Sequence, residues 1–224
     1  MIRILRVRIV LFLFSAILIV SALYLTSAIF NTVDRLDIVE AERDRWQRPA
    51  DVLRAMDARP GSSVVDLGSG AGYFTLKLAD AVGNQGKVVA VDLRRLSLSF
   101  LRIRALMRNR HNVDIIVATP NDPHLRAGLA DAILICNTYH EFANPARMLE
   151  HTFRALRPGG RLVIVDRAPD VSGESAGTAH GHEVSPELAE AELRRKRFQI
   201  VSRHDRFIDR PGDEPWWLLV ASRP

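Results

Sequence analysis

From Ile9 to Phe30 the chain runs through 22 residues without a charge, IVLFLFSAILIVSALYLTSAIF. Wound as a helix at about 1.5 Å per residue, such a run reaches roughly 33 Å, enough for a hydrocarbon core of about 30 Å. The pattern predicts a transmembrane helix over 9–30, after a basic flank at 1–8 that carries Arg3, Arg6 and Arg8. A secretory signal has a shorter apolar stretch of about 7–15 residues before its small-residue cleavage site. Thr26-Ser27-Ala28 offers such a site, but the length of the run favours an uncleaved single-pass anchor. Residues 31–48, NTVDRLDIVEAERDRWQR, then switch to a charged connector able to continue as a polar helix.

Beyond the connector the hydrophobic pattern changes period. Val64–Leu67, Val88–Val91, Val113–Val117, Ala132–Cys136 and Leu162–Val165 are short Val- and Ile-rich runs without polar alternation. That is the signature of parallel strands buried on both faces. Amphipathic stretches lie between them: Tyr73–Val82, a stripe of Leu96, Phe100, Ile103 and Met107, and Pro145–Leu156 stopped by RPGG at Arg157–Gly160. Pro49 opens an earlier helix to about Ala58, ended by Arg59-Pro60-Gly61, and Ser185-Pro186 marks the N-cap and first turn of a late one to about Arg197. Phe198–Ser202 and Trp216–Ala221 are the last strand candidates, closing the sheet as a hairpin. Strand–helix alternation with short connections predicts an α/β, doubly wound sheet with helices on both faces.

Charge adds little to this picture. The 31 basic and 26 acidic residues leave a formal net charge of +5, and only Lys77, Lys87 and Lys196 among the basic residues are lysines. The densest cluster, Arg94, Arg95, Arg102, Arg104, Arg108 and Arg110, has no interleaved Tyr or Trp, so nucleic acid is not expected as a partner. The single cysteine, Cys136, excludes an internal disulfide and any Cys-rich metal site.

Candidate chemistry gathers after the first buried strand. In an α/β sheet a ligand sits beyond the carboxyl ends of the strands, and the loop there reads Gly68-Ser69-Gly70-Ala71-Gly72. This is one residue shorter than the dinucleotide fingerprint G-x-G-x-x-G, and Asp66 stands two residues before its first glycine. A carboxylate suits a cation better than a diphosphate. The spacing therefore argues against a nicotinamide oxidoreductase and for a ligand with an ammonium group and no phosphate.

DLGSGAGYF (Asp66–Phe74) resembles the first motif of the class I S-adenosylmethionine-dependent methyltransferases. The resemblance continues in register through VVAVDL (Val88–Leu93), ADAILICNTYHEF (Ala130–Phe142) and LRPGGRLVIVD (Leu156–Asp166), and spans roughly Trp46 to Pro224. More narrowly, RWQRPADVL, GAGYFT, YHEF and the segment around His182 are similar to a set of bacterial methyltransferases that often carry an N-terminal export or anchor sequence. The broader relatives include quinone-biosynthesis methyltransferases. The resemblance implies a seven-stranded Rossmann-like sheet, mostly parallel with an antiparallel last strand, a methyltransferase domain over 49–224, and S-adenosyl-L-methionine as cofactor. It implies cofactor contacts from Asp66, Gly68, Ser69, Gly70, Gly72, Tyr73, Asp92, Leu93 and Asn137. Asp92 would receive both ribose hydroxyls, and Tyr73 would lie near the methionine end. Many relatives carry an acid after the third strand that contacts the adenine amine. Here ATPNDP puts Thr119 at that place, with Asn121 or Asp122 as substitutes.

Methyl transfer from a sulfonium mainly requires alignment of the nucleophile and exclusion of water, with a general base where the acceptor starts protonated. His140 is the best-placed titratable group after the fourth strand, and Glu141 is the residue that could orient it. Both also fit a pocket wall or the start of the next helix. His180, His182 and Glu183 sit in the long loop after Asp166 and form an incomplete ligand set, so no metal is expected. The reading is a membrane-anchored methyltransferase acting on a small or lipid-like acceptor. Its rival is an inactive methyltransferase-like scaffold. The basic N-terminal flank favours an outward-facing domain by the positive-inside rule, whereas a cofactor made in the cytosol favours a cytoplasmic one. The cytoplasmic placement is adopted, with an exported domain or a cleaved signal peptide as the alternative.

Overall fold

The structure, a computed structural model of the chain, describes residues 2–169 and 184–224; His180, His182 and Glu183 lie outside the described residues. The chain divides into two compact units, Met1–Arg43 and Asp44–Pro224. Helix α1 (Ile2–Trp46) contains neither proline nor glycine, so no backbone breaker interrupts it between the apolar run and the charged stretch. Within it, Phe12, Ile17, Leu23 and Tyr24 are exposed, and the helix is long and apolar enough to cross a membrane, a test that an N-terminal signal sequence also passes. The left-handed backbone of Arg48 (φ 52°) ends this segment, and Pro49 starts α2 (Pro49–Met56).

The second unit alternates strands and helices as the hydrophobic runs predict: β1 (Ser63–Leu67), α3 (Tyr73–Val82), β2 (Lys87–Asp92), α4 (Arg95–Met107), β3 (Val113–Val117) and β4 (Ala130–Cys136). A 3-10 turn at Tyr139–Glu141 follows, then α5 (Pro145–Ala155), β5 (Leu156–Arg167), α6 (Pro186–Arg195), β6 (Gln199–Ile208) and β7 (Trp216–Ser222). The seven strands order as β3-β2-β1-β4-β5-β7-β6. Pairings from β3 to β5 are parallel, and β7 runs antiparallel to both β5 and β6. This is the expected architecture, including the closing hairpin.

Successive residues of each central strand face opposite cores. Val65, Ile133, Ile164 and Leu219 join Leu149 of α5 and Leu193 of α6 on one side. Val64, Leu134, Val163 and Val220 join Met56 of α2 and Leu78 of α3 on the other. Burial on both faces explains why these strands read as apolar runs without polar alternation.

Two local expectations need correction. The RPGG stretch does not stand outside the sheet: β5 begins at Leu156, because Gly159 N–H donates to the Arg223 carbonyl (2.7 Å) and Arg223 N–H to the Gly160 carbonyl (2.9 Å). In α4 the stripe Leu96, Phe100, Ile103 and Met107 is not the core face. Leu98, Leu101 and Ala105 pack inward with Leu76 and Ala90, while Leu96 and Met107 are 72% and 51% exposed.

Candidate functional site

The carboxyl ends of β1, β2, β3 and β4 converge on a cavity of about 330 Å³. Gly68 and Thr138 line it, with Asp92, Leu93 and Arg94 after β2, Ala118 to Pro120 after β3, and Glu141, Phe142 and Met148 from the segment after β4. Its size and mixed lining suit a small organic ligand.

The glycine loop is shaped by its neighbours. Gly68 (φ +86°) passes so close to Thr138 that a Cβ there would stand 2.2 Å from Thr138 Oγ1. A Cβ on Gly72 (φ +98°) would stand 2.3 Å from Leu101 Cδ1, so close packing of α4 demands that glycine. At Gly70 a Cβ would meet nothing within 4 Å, which leaves the loop backbone approachable there. Ser69 Oγ is buried and has no hydrogen-bond partner among the described residues. A buried hydroxyl in that position has a donor and two lone pairs to offer a ligand.

Asp92 ties the loop to the end of β2. Its Oδ2 accepts from Gly70 N–H (2.8 Å) and its Oδ1 from Arg94 N–H (2.7 Å), and the residue is 6% exposed. An ionised carboxylate has about four lone-pair sites, so each oxygen keeps one for a further donor. Arg94 Nε lies 3.7 Å from Asp92, and Arg94 also reaches Glu141 at 3.8 Å.

The other expected site residues are spread around this cavity. Asp66 is buried at the end of β1, where Thr75 Oγ1 donates to it (2.6 Å), and it is not a lining residue. Tyr73 is likewise buried beneath the loop; its hydroxyl donates to Asp44 (2.8 Å) and its ring packs edge-on against Phe74. Asn137 adopts a left-handed backbone (φ 53°) after β4, and its side-chain oxygen accepts from Arg167 Nε (3.3 Å). Thr119 and Pro120 line the cavity, whereas Asn121 and Asp122 stand outside the lining. Thr119 and Asp122 exchange backbone hydrogen bonds across the turn. The His124 N–H donated to Asp122 lowers that carboxyl below its ordinary range.

His140 and Glu141 part company. Glu141 is an exposed cavity-lining residue. His140 lies behind the wall, its side chain 3% exposed and its Nδ1 2.7 Å from Oδ1 of the fully buried Asp166. Asp166 also accepts from the backbone N–H groups of His140 (3.2 Å) and Arg167 (2.8 Å). Asp166 thus accepts two backbone hydrogen bonds while its Oδ1 braces the imidazole through Nδ1. The orienting acid is therefore Asp166, 26 positions downstream, rather than Glu141 next door. Beside it the buried Tyr139 hydroxyl donates to Glu192 of α6, and burial, with the Glu192 carboxylate, pushes the phenol far above its ordinary value.

A second contributor escaped the sequence reading. Arg104 of the basic cluster is 1% exposed, and its Nη1 donates to the Ala71 carbonyl (2.6 Å) inside the glycine loop. Among the described residues no group of three or more His, Cys, Asp or Glu is arranged to hold a metal ion.

Comparison with known proteins agrees with this geometry. Residues 58–201 match the Methyltransferase domain family. The demethylmenaquinone methyltransferase of Lactococcus lactis subsp. lactis is 25% identical over 144 residues, covering 62% of this chain and 56% of that protein. The ubiquinone/menaquinone biosynthesis C-methyltransferase UbiE of Vibrio campbellii is 33% identical over 113 residues, covering 49% and 42%. The chain thus spans about half the length of these curated relatives. The crystal structure of a SAM-dependent methyltransferase from Aquifex aeolicus superposes with a TM-score of 0.70 at 21% identity, covering 86% of this chain and 98% of that one. With more than half its length matched, the chain belongs to the methyltransferase domain family.

Proposed function

We propose that this protein is a membrane-tethered enzyme that methylates a small, lipophilic acceptor. The observation that carries the reading is the cavity at the ends of β1 to β4, with Asp92 on its rim and the glycine loop at its base. S-Adenosylmethionine, when bound, supplies a methyl group already activated by its sulfonium. Asp92 receives the ribose hydroxyls on its two remaining lone pairs, and Leu93, Ala118, Phe142 and Met148 offer apolar walls for the base. Thr119 and the backbone of its turn take the place of the adenine-contacting acid. Ser69 Oγ, beside the open backbone at Gly70, holds the polar end of the cofactor. Asp66 and Tyr73 support the loop from beneath, and Asn137 shapes the chain after β4.

His140 is the residue assigned to proton transfer. With its imidazole braced by Asp166, it serves an acceptor that arrives protonated. The cytoplasmic domain over 49–224 hangs from the span at 9–30 by the connector at 31–48, with residues 1–8 as basic flank. Tethering keeps the domain beside acceptors that reside in the bilayer. The names of the two curated relatives, both quinone methyltransferases, support an aromatic lipid-like acceptor.

The test is calorimetric titration of the full chain in detergent with S-adenosylhomocysteine, with NADH as control and Asp92→Ala in parallel. Micromolar binding that weakens at least about tenfold in the variant, one unit of log affinity or about 1.4 kcal/mol, supports the cofactor site. Methyl transfer into a membrane lipid extract then supports the acceptor class. A folded chain that binds no S-adenosylhomocysteine is a scaffold, and the proposal falls.

A further inference from the structure

The outward stripe of α4 has no core to serve. Leu96 is 72%, Leu106 58% and Met107 51% exposed, with Phe100 and Ile103 half-buried between them. Leu93, one turn upstream, is 52% exposed. Spacings of three and four residues align Leu96, Phe100, Ile103 and Met107 along one side of the helix, opposite the inward Leu98, Leu101 and Ala105.

Charge on this helix is of one sign. Residues 95–107 contain arginines and no acid. Arg95 and Arg102, seven apart, share one edge of the apolar stripe, and among the described residues neither side chain makes an ion pair or hydrogen bond. Exposed arginines elsewhere, such as Arg48, Arg54, Arg59 and Arg206, are paired with aspartates. An apolar stripe edged by unpaired guanidinium groups is the chemistry of a helix lying in an anionic bilayer surface, its apolar side among the acyl chains and its arginines on the phosphates.

We propose that α4 is a second membrane contact of this protein, docking flat on the surface of a bilayer rich in anionic phospholipid. The inference rests on the membrane reading of α1 only for bringing a bilayer within reach. It goes beyond that reading in assigning a surface of the catalytic unit to the lipid. Leu93 and Arg94 belong to both the cavity rim and the approach to α4, so docking also withdraws that rim from water.

The experiment uses the full chain with Cys136→Ser, a swap that keeps a polar atom for the Gln47 amide now 3.4 Å from the sulfur. Single cysteines labelled with a small fluorophore are placed by Leu96→Cys and Met107→Cys on α4, by Leu18→Cys in α1, and by Asp209→Cys beyond β6. Each protein is reconstituted into vesicles of phosphatidylcholine with or without phosphatidylglycerol, using acyl-brominated lipids as quenchers, after its thermal melt has matched the unlabelled chain. Quenching at 96 and 107 in the anionic vesicles, with none at 209, is expected. Arg95→Gln with Arg102→Gln should lower the docked-to-undocked ratio about thirtyfold, from two lost headgroup attractions. Quenching at 18 without quenching at 96 or 107 overturns the proposal and leaves the anchor intact. Quenching at 96 and 107 without 18 sustains it and removes the anchor. Disulfide formation between two copies of the unlabelled Leu96→Cys protein, with no lipid quenching in its labelled form, assigns the stripe to a second copy and overturns the proposal.

Discussion

Nδ1 of His140 lies 2.7 Å from Oδ1 of Asp166, joining the loop after β4 to the end of β5 through two side chains almost wholly withdrawn from water. The pair fixes the orientation of the imidazole. Replacing Asp166 with Asn removes the carboxylate that braces the ring. We expect Asp166→Asn and His140→Ala each to slow methyl transfer roughly hundredfold, the lower range for a lost proton-transfer group. Affinity for S-adenosylhomocysteine should hold, because neither residue lines the cavity. Single-turnover rates beside calorimetry check both halves; loss of binding in step with rate would reduce the pair to a structural clasp.

Tyr139 gives a pH dependence with a definite sign. Its phenol is raised in the fold by burial and by Glu192, so the folded chain keeps the proton where the unfolded chain releases it. The stabilisation is complete below about pH 10 and is lost as pH rises above it, since the unfolded state there binds fewer protons. Tyr139→Phe should lose about 1.5–3 kcal/mol at neutral pH, the cost of one hydrogen bond to a charged group. The gap to the parent should narrow in urea melts between pH 10 and 11. A constant gap would contradict the assignment.

The three glycines of the loop should answer differently to the same change. Gly68→Ala and Gly72→Ala drive a methyl group into Thr138 or Leu101 and should lower the thermal midpoint. Gly70→Ala meets no neighbour and should cost about 1–2 kcal/mol for its left-handed backbone, yet it should weaken S-adenosylhomocysteine binding by blocking the backbone. Melting curves and calorimetry on the three variants separate the two effects.

Arg104 is buried, and its donation to Ala71 crosses from α4 to the loop. Arg104→Met keeps the apolar stem but strands that carbonyl, and should cost about 1–3 kcal/mol. Urea midpoints measure the loss. If Arg104 were one more surface arginine, the midpoint would not move.

Much of this was readable from the residues because central parallel strands advertise themselves. Val88–Val91 and Ala132–Cys136 are apolar on every position and Val64–Leu67 on all but Asp66, since both faces are covered, and the structure lengthens them by two residues at most. What stayed hidden depends on contacts between distant positions. Helix α4 carries two apolar stripes; the longer one invites burial, but Leu101 is the residue that fits against Gly72, so the shorter stripe turns inward. Arg104 looked like a member of a charged cluster because its acceptor lies 33 positions away. Asp166 looked like the start of a loop, and only the β4–β5 pairing brings it to His140.

Strand β7 has a consequence for how the protein is made. It inserts between β5 and β6, so the sheet stays open until residues 216–222 have been translated. The apolar run that ends at Phe30 leaves the ribosome about 190 residues earlier, some ten to forty seconds at ordinary synthesis rates. Throughout that interval Val163, Val165 and the inner face of β6 lack their final neighbour, and the nascent chain is most exposed to holding chaperones. The N-terminal helix is therefore clear of the ribosome before the domain behind it can close.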